Sequence, residues 1–111
     1  MLPSFDYVRP RSLQAAIAQL AGEGSVVHAG GTDLLGCLRE RVFAVKKVVS
    51  ISAVPELNGI AEAADGTLRI GALTTLRAVA EHPLVRRRFS GLAQAASEVA
   101  SPQLRNQGTI G

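Results

Sequence analysis

Residues 26–36 read VVHAGGTDLLG, an apolar run that passes through two adjacent glycines into closely spaced leucines. Ser25-Val26-Val27-His28-Ala29 has the look of a short buried strand, and Leu34, Leu35 and Leu38 fall on one face of a helix that starts beyond the glycines. A second apolar segment, Lys47-Val48-Val49-Ser50-Ile51, reads as another strand. The chain between them exceeds the dozen or so residues that a crossover between parallel strands requires, so the segment predicts a small βαβ unit.

Working outward, Ser12 is placed to cap a helix whose apolar residues Leu13, Ala16, Ile17 and Leu20 follow the i, i+3, i+4, i+7 pattern, with Gly22 and Gly24 where it should stop. On the other side, Asp65-Gly66 is a two-residue turn signal between 59–63 and 67–71, which predicts a hairpin and hence an antiparallel sheet. Two helices are expected next. One runs from the Thr74-Thr75 cap through Leu76 and Val79, and the other from a Ser90 cap through Leu92, Ala93, Ala96, Val99 and Ala100, with His82-Pro83 interrupting between them. After Ser101-Pro102 the stretch QLRNQGTIG is polar and reads as a loop. Ending at Gly111 in apparent mid-turn, and leaving the hairpin's sheet edges unpaired, the chain is expected to be a fragment of something longer.

The 111 residues amount to one small domain's worth of chain, enough to bury a single modest core. Apolar residues make up 47%, but no run approaches the ~18–20 needed to span a membrane, and the start MLPSFDYVRP lacks a signal-peptide layout. A soluble, cytoplasmic protein is expected. Cys37 is the only cysteine, so an internal disulfide is excluded and zinc or iron–sulfur frameworks lack ligands; no metal site is expected. The net charge of +3 would suit an anionic ligand, yet one Tyr, three Phe and no Trp leave little to stack on bases. Arg86-Arg87-Arg88 is the best basic patch, and such a run is usually a solvated face, so no nucleic-acid partner is expected.

The double glycine has two readings. It is either a tight strand-to-helix turn or an anion site, because amides after a buried strand and before a helix have no intrachain partner. Gly30 and Gly31 lack Cβ atoms, which permits positive φ and close approach of a phosphate, and Thr32 adds a hydroxyl. Two other phosphate loops are excluded. Gly31 to Gly36 has the first spacing of a P-loop, but Cys37-Leu38 stands where Lys-Ser/Thr is required; the Rossmann pattern fails because the glycines are adjacent. A carboxylate ~6 Å from a phosphate charge is repelled by about 1–3 kcal/mol, so Asp33 must point aside or cap an amide. His28 at a strand end is expected to be packed or exposed rather than to move protons, His82 to be structural, and Cys37 to be buried as a small hydrophobe. Arg105 and Asn106 could either pair with phosphates or solvate their connection.

Four blocks in order resemble a known family. They are FDYVRPRSLQAAIAQL at the start, AGGTDLL at 29–35, IGALTTLRAVAEHPLV at 70–85 and SPQLRNQGTIG at the end. Together they are similar to the flavin-binding subunit or domain of the molybdenum hydroxylases, the group of xanthine dehydrogenase and carbon monoxide dehydrogenase. The resemblance implies an α+β fold of the vanillyl-alcohol-oxidase type: a small parallel α/β subdomain over 1–55, then the beginning of an antiparallel-sheet subdomain over 56–111. It implies that FAD's pyrophosphate sits on Ala29, Gly30, Gly31, Thr32 and Asp33, with Leu34 and Leu35 closing the loop. Thr109, Ile110 and Gly111 would begin a second contact loop, which in the family reads Thr-Ile-Gly-Gly and here stops before the second glycine.

By the same resemblance, the function is that of an oxidoreductase subunit whose flavin passes electrons from iron–sulfur clusters to a terminal acceptor. Molybdopterin and 2Fe-2S clusters would lie on partner subunits, one large and molybdopterin-binding, one small and iron–sulfur. No catalytic side chain is implied, since the flavin carries the chemistry. The 111 residues alone are expected to bind FAD weakly or not at all and to be inactive. Two other functions compete: an interaction module that docks molybdenum and iron–sulfur partners without flavin, and a binding domain for another phosphate ligand.

Overall fold

The computed structural model describes residues 2–111, and the chain divides into two compact units with the boundary between Glu56 and Leu57. A 3-10 turn, Pro55–Leu57, links them.

The first unit is built on a parallel sheet of β1 (Asp6–Val8), β2 (Ser25–His28) and β3 (Lys47–Ser50), in the order β1-β3-β2. β2 and β3 run parallel with Val26 opposite Val48 and His28 opposite Ser50, as the crossover reading requires. The central strand β3 buries Val48, Val49 and Ser50, the behaviour of a parallel strand covered on both faces. Ser50 satisfies its buried hydroxyl with Ser52 Oγ at 2.9 Å. Helix α1 (Leu13–Gln19) is capped as expected, Ser12 Oγ accepting from Ala15 N–H at 3.1 Å. Its apolar pattern is only partly used, for Ala16 is buried while Ile17 is 60% exposed. Helix α2 (Leu34–Arg39) buries Leu38, and the chain leaves it through Arg41 at φ 54°.

The second unit contains the hairpin of β4 (Ile60–Glu62) and β5 (Leu68–Ile70), antiparallel with Ile60 opposite Ile70. Its inward residues Ile60, Leu68 and Ile70 alternate with outward ones and pack against buried Val79, Val85, Ala93 and Ala96. These last residues come from helices α3 (Leu76–Glu81), α4 (Pro83–Arg88) and α5 (Ser90–Glu98). A final helix, α6, spans Pro102–Gln107.

Several sequence expectations need correction. The hairpin loop is Ala64–Gly66 rather than two residues: Ala63 N–H still donates to Thr67 O at 2.8 Å, and Gly66 takes φ +86°. That is the three-residue arrangement with a left-handed glycine at its end. His82-Pro83 does not merely interrupt. The His82 Nδ1 accepts from Leu84 N–H at 3.2 Å and Pro83 occupies the first turn of α4, so the pair starts a helix that carries the three arginines. Ser90 is not a cap, because α4 runs into α5 with only Phe89 between and Ala93 N–H bonds to the Phe89 carbonyl. The polar tail is helical as well, for Ser101 Oγ caps it by accepting from Leu104 N–H at 3.2 Å. Strand β1 was not expected at all.

Candidate functional site

The loop that joins β2 to α2 is anchored where the strand ends: Ile51 N–H donates to the His28 carbonyl at 3.0 Å. From there the chain turns through Gly31, which is buried and sits at φ +79°. Glycine is required at that point for two reasons. The conformation is one that L-residues avoid, and a Cβ would come to 2.6 Å from His28 Nε2. Of the two glycines, it is therefore Gly31 that uses the conformational freedom.

The N–H groups of Ala29, Gly31, Thr32, Asp33 and Leu34 donate to no acceptor among the described residues, whereas Leu35 N–H donates to Gly31 O at 3.2 Å. Thr32 and Asp33 are exposed. Asp33 resolves its own difficulty by pointing along the helix. It makes no side-chain cap, and its Oδ2 accepts from Cys37 Sγ at 3.8 Å. Cys37 is accordingly half-buried rather than sealed in the core. The result is a short run of free donors with no carboxylate capping them, suited to a diphosphate. Because α2 has only six residues, the donors matter more here than any helix dipole.

In the second unit, Thr109, Ile110 and Gly111 lie extended against residues 72–76. Thr109 forms an antiparallel bridge with Thr75, Leu76 N–H donates to Gly108 O at 2.9 Å, and Ile110 N–H to Thr74 O at 2.9 Å. Gly111 N–H donates to Ala72 O at 3.1 Å. This segment is paired backbone rather than the expected turn. The amides of Ile110 and Gly111 are thus engaged within the unit, which leaves the Thr109 N–H and hydroxyl as its donors toward a ligand. Thr109 Oγ1 also reaches Gly111 O at 3.5 Å.

Thr74, read from the sequence only as part of a helix cap, pairs through its carbonyl with this segment. Thr74 is 2% exposed, and its hydroxyl both donates to Gly59 O and accepts from Gly59 N–H, each at 3.0 Å. A side chain here does the work of a neighbouring strand. Arg105 does more than solvate the connection: its Nη1 donates to Val99 O at 2.8 Å and Ala100 O at 3.5 Å, where Ala100 sits at φ 52°. Asn106 Oδ1 accepts from Arg77 Nη1 at 3.2 Å. Both brace the entry to the last segment. The signal for α6 was available in Ser101-Pro102, a cap followed by a first-turn proline.

Among the described residues, no group of three or more His, Cys, Asp or Glu could hold a metal ion, and no helix is long and apolar enough to cross a membrane. Hydrogen bonds from the Thr67 side chain and backbone hold Asp65, in the hairpin loop, below the usual carboxylate range.

Residues 3–111 match the family model described as the FAD binding domain in molybdopterin dehydrogenase. The chain is 39% identical over 111 residues to the carbon monoxide dehydrogenase medium chain of Hydrogenophaga pseudoflava, covering 98% of this chain and 38% of that one. It is 40% identical over 106 residues to a putative xanthine dehydrogenase FAD-binding subunit of Escherichia coli, covering 95% and 36%. Among solved structures, carbon monoxide dehydrogenase from Hydrogenophaga pseudoflava superposes with a TM-score of 0.93 at 38% identity, over all of this chain and 39% of that one. Quinoline 2-oxidoreductase from Pseudomonas putida superposes with a TM-score of 0.92 at 34% identity, over 100% and 39%. The chain therefore spans under two fifths of the relatives it matches.

Proposed function

Since the chain belongs to the family of FAD-binding domains of molybdopterin dehydrogenases, we propose that its loop at Ala29, Gly30, Gly31, Thr32 and Asp33 holds the diphosphate of FAD through main-chain amides. The observation that carries this reading is the run of unbonded N–H groups at Ala29 and from Gly31 to Leu34, beside a glycine in the left-handed region. Leu34 and Leu35 close the loop at the start of α2. In the second unit Thr109 supplies a further donor, and Ile110 and Gly111 hold it in register through their bonds to Thr74 and Ala72. Neutral donors of this kind bind a dianion without a buried lysine, and they need no deprotonation step.

The layout is that of the vanillyl-alcohol-oxidase type, with a parallel α/β FAD-binding subdomain over 1–55 and an antiparallel-sheet subdomain beginning at 56. When bound, the flavin supplies reversible two-electron and one-electron chemistry. The side chains of this polypeptide bind and orient; none is assigned as nucleophile, acid or base. The whole protein works in the cytoplasm as the flavin subunit of a molybdenum-containing dehydrogenase. Its partners are a molybdopterin-binding large subunit and an iron–sulfur small subunit, and electrons leave the iron–sulfur clusters toward a terminal acceptor by way of this subunit.

The test is a fluorescence titration of the flavin-free polypeptide, expressed at full length from its gene, with FAD. Saturable binding at one FAD per chain, with ADP competing, is expected. A polypeptide that purifies colourless and leaves FAD fluorescence unchanged would reject the reading.

A further inference from the structure

His28 is a residue of the first unit whose chemistry neither the fold nor the proposed amide contacts employ. Its carbonyl accepts from Ile51 N–H, and its ring packs edge-on against Tyr7, with centroids 6.4 Å apart and planes at 68°. Neither ring nitrogen has a hydrogen-bond partner among the described residues. Nδ1 is buried, and Nε2 faces Gly31, 2.6 Å from where a Cβ there would stand. A phenyl ring would fill that space against Tyr7 and Gly31 without sealing a polar atom from water, so packing alone gives no reason for an imidazole.

Neutral imidazole carries a proton on one nitrogen only. Unpaired buried N–H groups are rarer than unpaired buried acceptors, which puts the proton on Nε2, the nitrogen directed at the loop. The loop needs such a group: residues 26–36 include no Lys or Arg, and their one charged side chain is the carboxylate of Asp33. We infer that His28 Nε2–H is a side-chain hydrogen-bond donor to the diphosphate held at Gly31, a role that rests on the FAD reading above. Through it, β2 contributes a polar side chain to a loop otherwise made of main-chain amides and the Thr32 hydroxyl.

The full-length flavin-free polypeptide is titrated with FAD in four forms: unsubstituted, His28→Gln, His28→Asn and His28→Phe. Glutamine carries an amide N–H about as far as Nε2, asparagine only as far as Nδ1, and phenylalanine keeps the ring without a donor. His28→Gln should bind within about threefold of the unsubstituted protein, and His28→Asn and His28→Phe should be weaker by about tenfold or more. Far-UV circular dichroism verifies that each is folded.

A readout independent of the variants is the imidazole nitrogen spectrum of the unsubstituted protein, in which Nε2 should be protonated and should shift when FAD saturates the site. His28→Phe binding FAD as tightly as the unsubstituted protein would overturn the inference while leaving the FAD reading intact. So would an Nε2 resonance that FAD does not move. Should His28→Phe fail to fold, that resonance decides. Failure of the unsubstituted protein to bind FAD would instead remove the proposed function and this inference with it.

Discussion

Gly31→Ala tests whether the loop's backbone conformation is what binds. The native φ of +79° costs an L-residue about 1–2 kcal/mol. The new methyl would also stand 2.6 Å from His28 Nε2, so the imidazole must swing away. Its edge contact with Tyr7 is then lost, worth about 0.5–1.5 kcal/mol. If the loop keeps its shape, urea unfolding followed by circular dichroism should show a loss of about 1.5–3.5 kcal/mol. If it relaxes to negative φ, stability is recovered but the amides of Gly31, Thr32 and Asp33 turn elsewhere. FAD affinity then falls by about 10–100-fold, at 1.4 kcal/mol per factor of ten. Gly36→Ala is the control. A Cβ there meets nothing within 4 Å and the position is helical, so it should stabilise by about 0.5–1 kcal/mol with FAD affinity unchanged. A Gly31→Ala protein that matches the original in both stability and FAD affinity would refute the reasoning.

Three further perturbations follow from the same geometry. Gly71→Ala should cost about 2–4 kcal/mol in urea unfolding, since a Cβ would collide with the Leu57 carbonyl and stand 3.0 Å from Asn58 N, both of them backbone that cannot swing aside. Thr74→Val keeps the shape but leaves Gly59 N–H without its acceptor and Gly59 O with the Gly71 N–H alone, so a loss of about 1–3 kcal/mol is expected, together with faster hydrogen exchange at Ile110. At low pH the hairpin loop should loosen. Asp65 is held below its usual range in the folded state, so its contribution is present above the unfolded carboxylate's range and is lost as pH falls through the lower folded value. A proton titration of Asp65 by NMR should give a midpoint below that of an unstructured peptide, and Thr67→Ala should raise it.

The parts of the fold that a single chain segment specifies were legible in the sequence. Ser12 and Thr75 cap the helices they were expected to cap, and the βαβ crossover and the hairpin pair as the apolar pattern and Asp65-Gly66 require. What escaped depends on partners distant in sequence or on boundaries one residue wide. Strand β1 is three residues whose pairing is supplied wholly by β3. The separation of α4 from α5 rests on Phe89 alone, and no residue type announces such a break. The tail looked like loop because its residues are polar. Yet α6 is exposed and needs only a cap, a proline at its start and the bonds of Arg105 to the carbonyls just past α5. At the candidate site, the Gly30-Gly31 pair could be singled out, whereas which of the two takes positive φ and the pairing of Ile110 and Gly111 with Thr74 and Ala72 could not be read without the fold.

The most direct measurement of the central claim is an amide-resolved titration: nitrogen–proton correlation spectra of the full-length polypeptide recorded as FAD is added. The N–H resonances of Ala29, Gly31, Thr32 and Asp33 should move downfield in proportion to flavin bound, while those of Ile110 and Gly111, already bonded to Thr74 and Ala72, change far less. Saturation with FAD that leaves the amides of residues 29–33 where they were would contradict it.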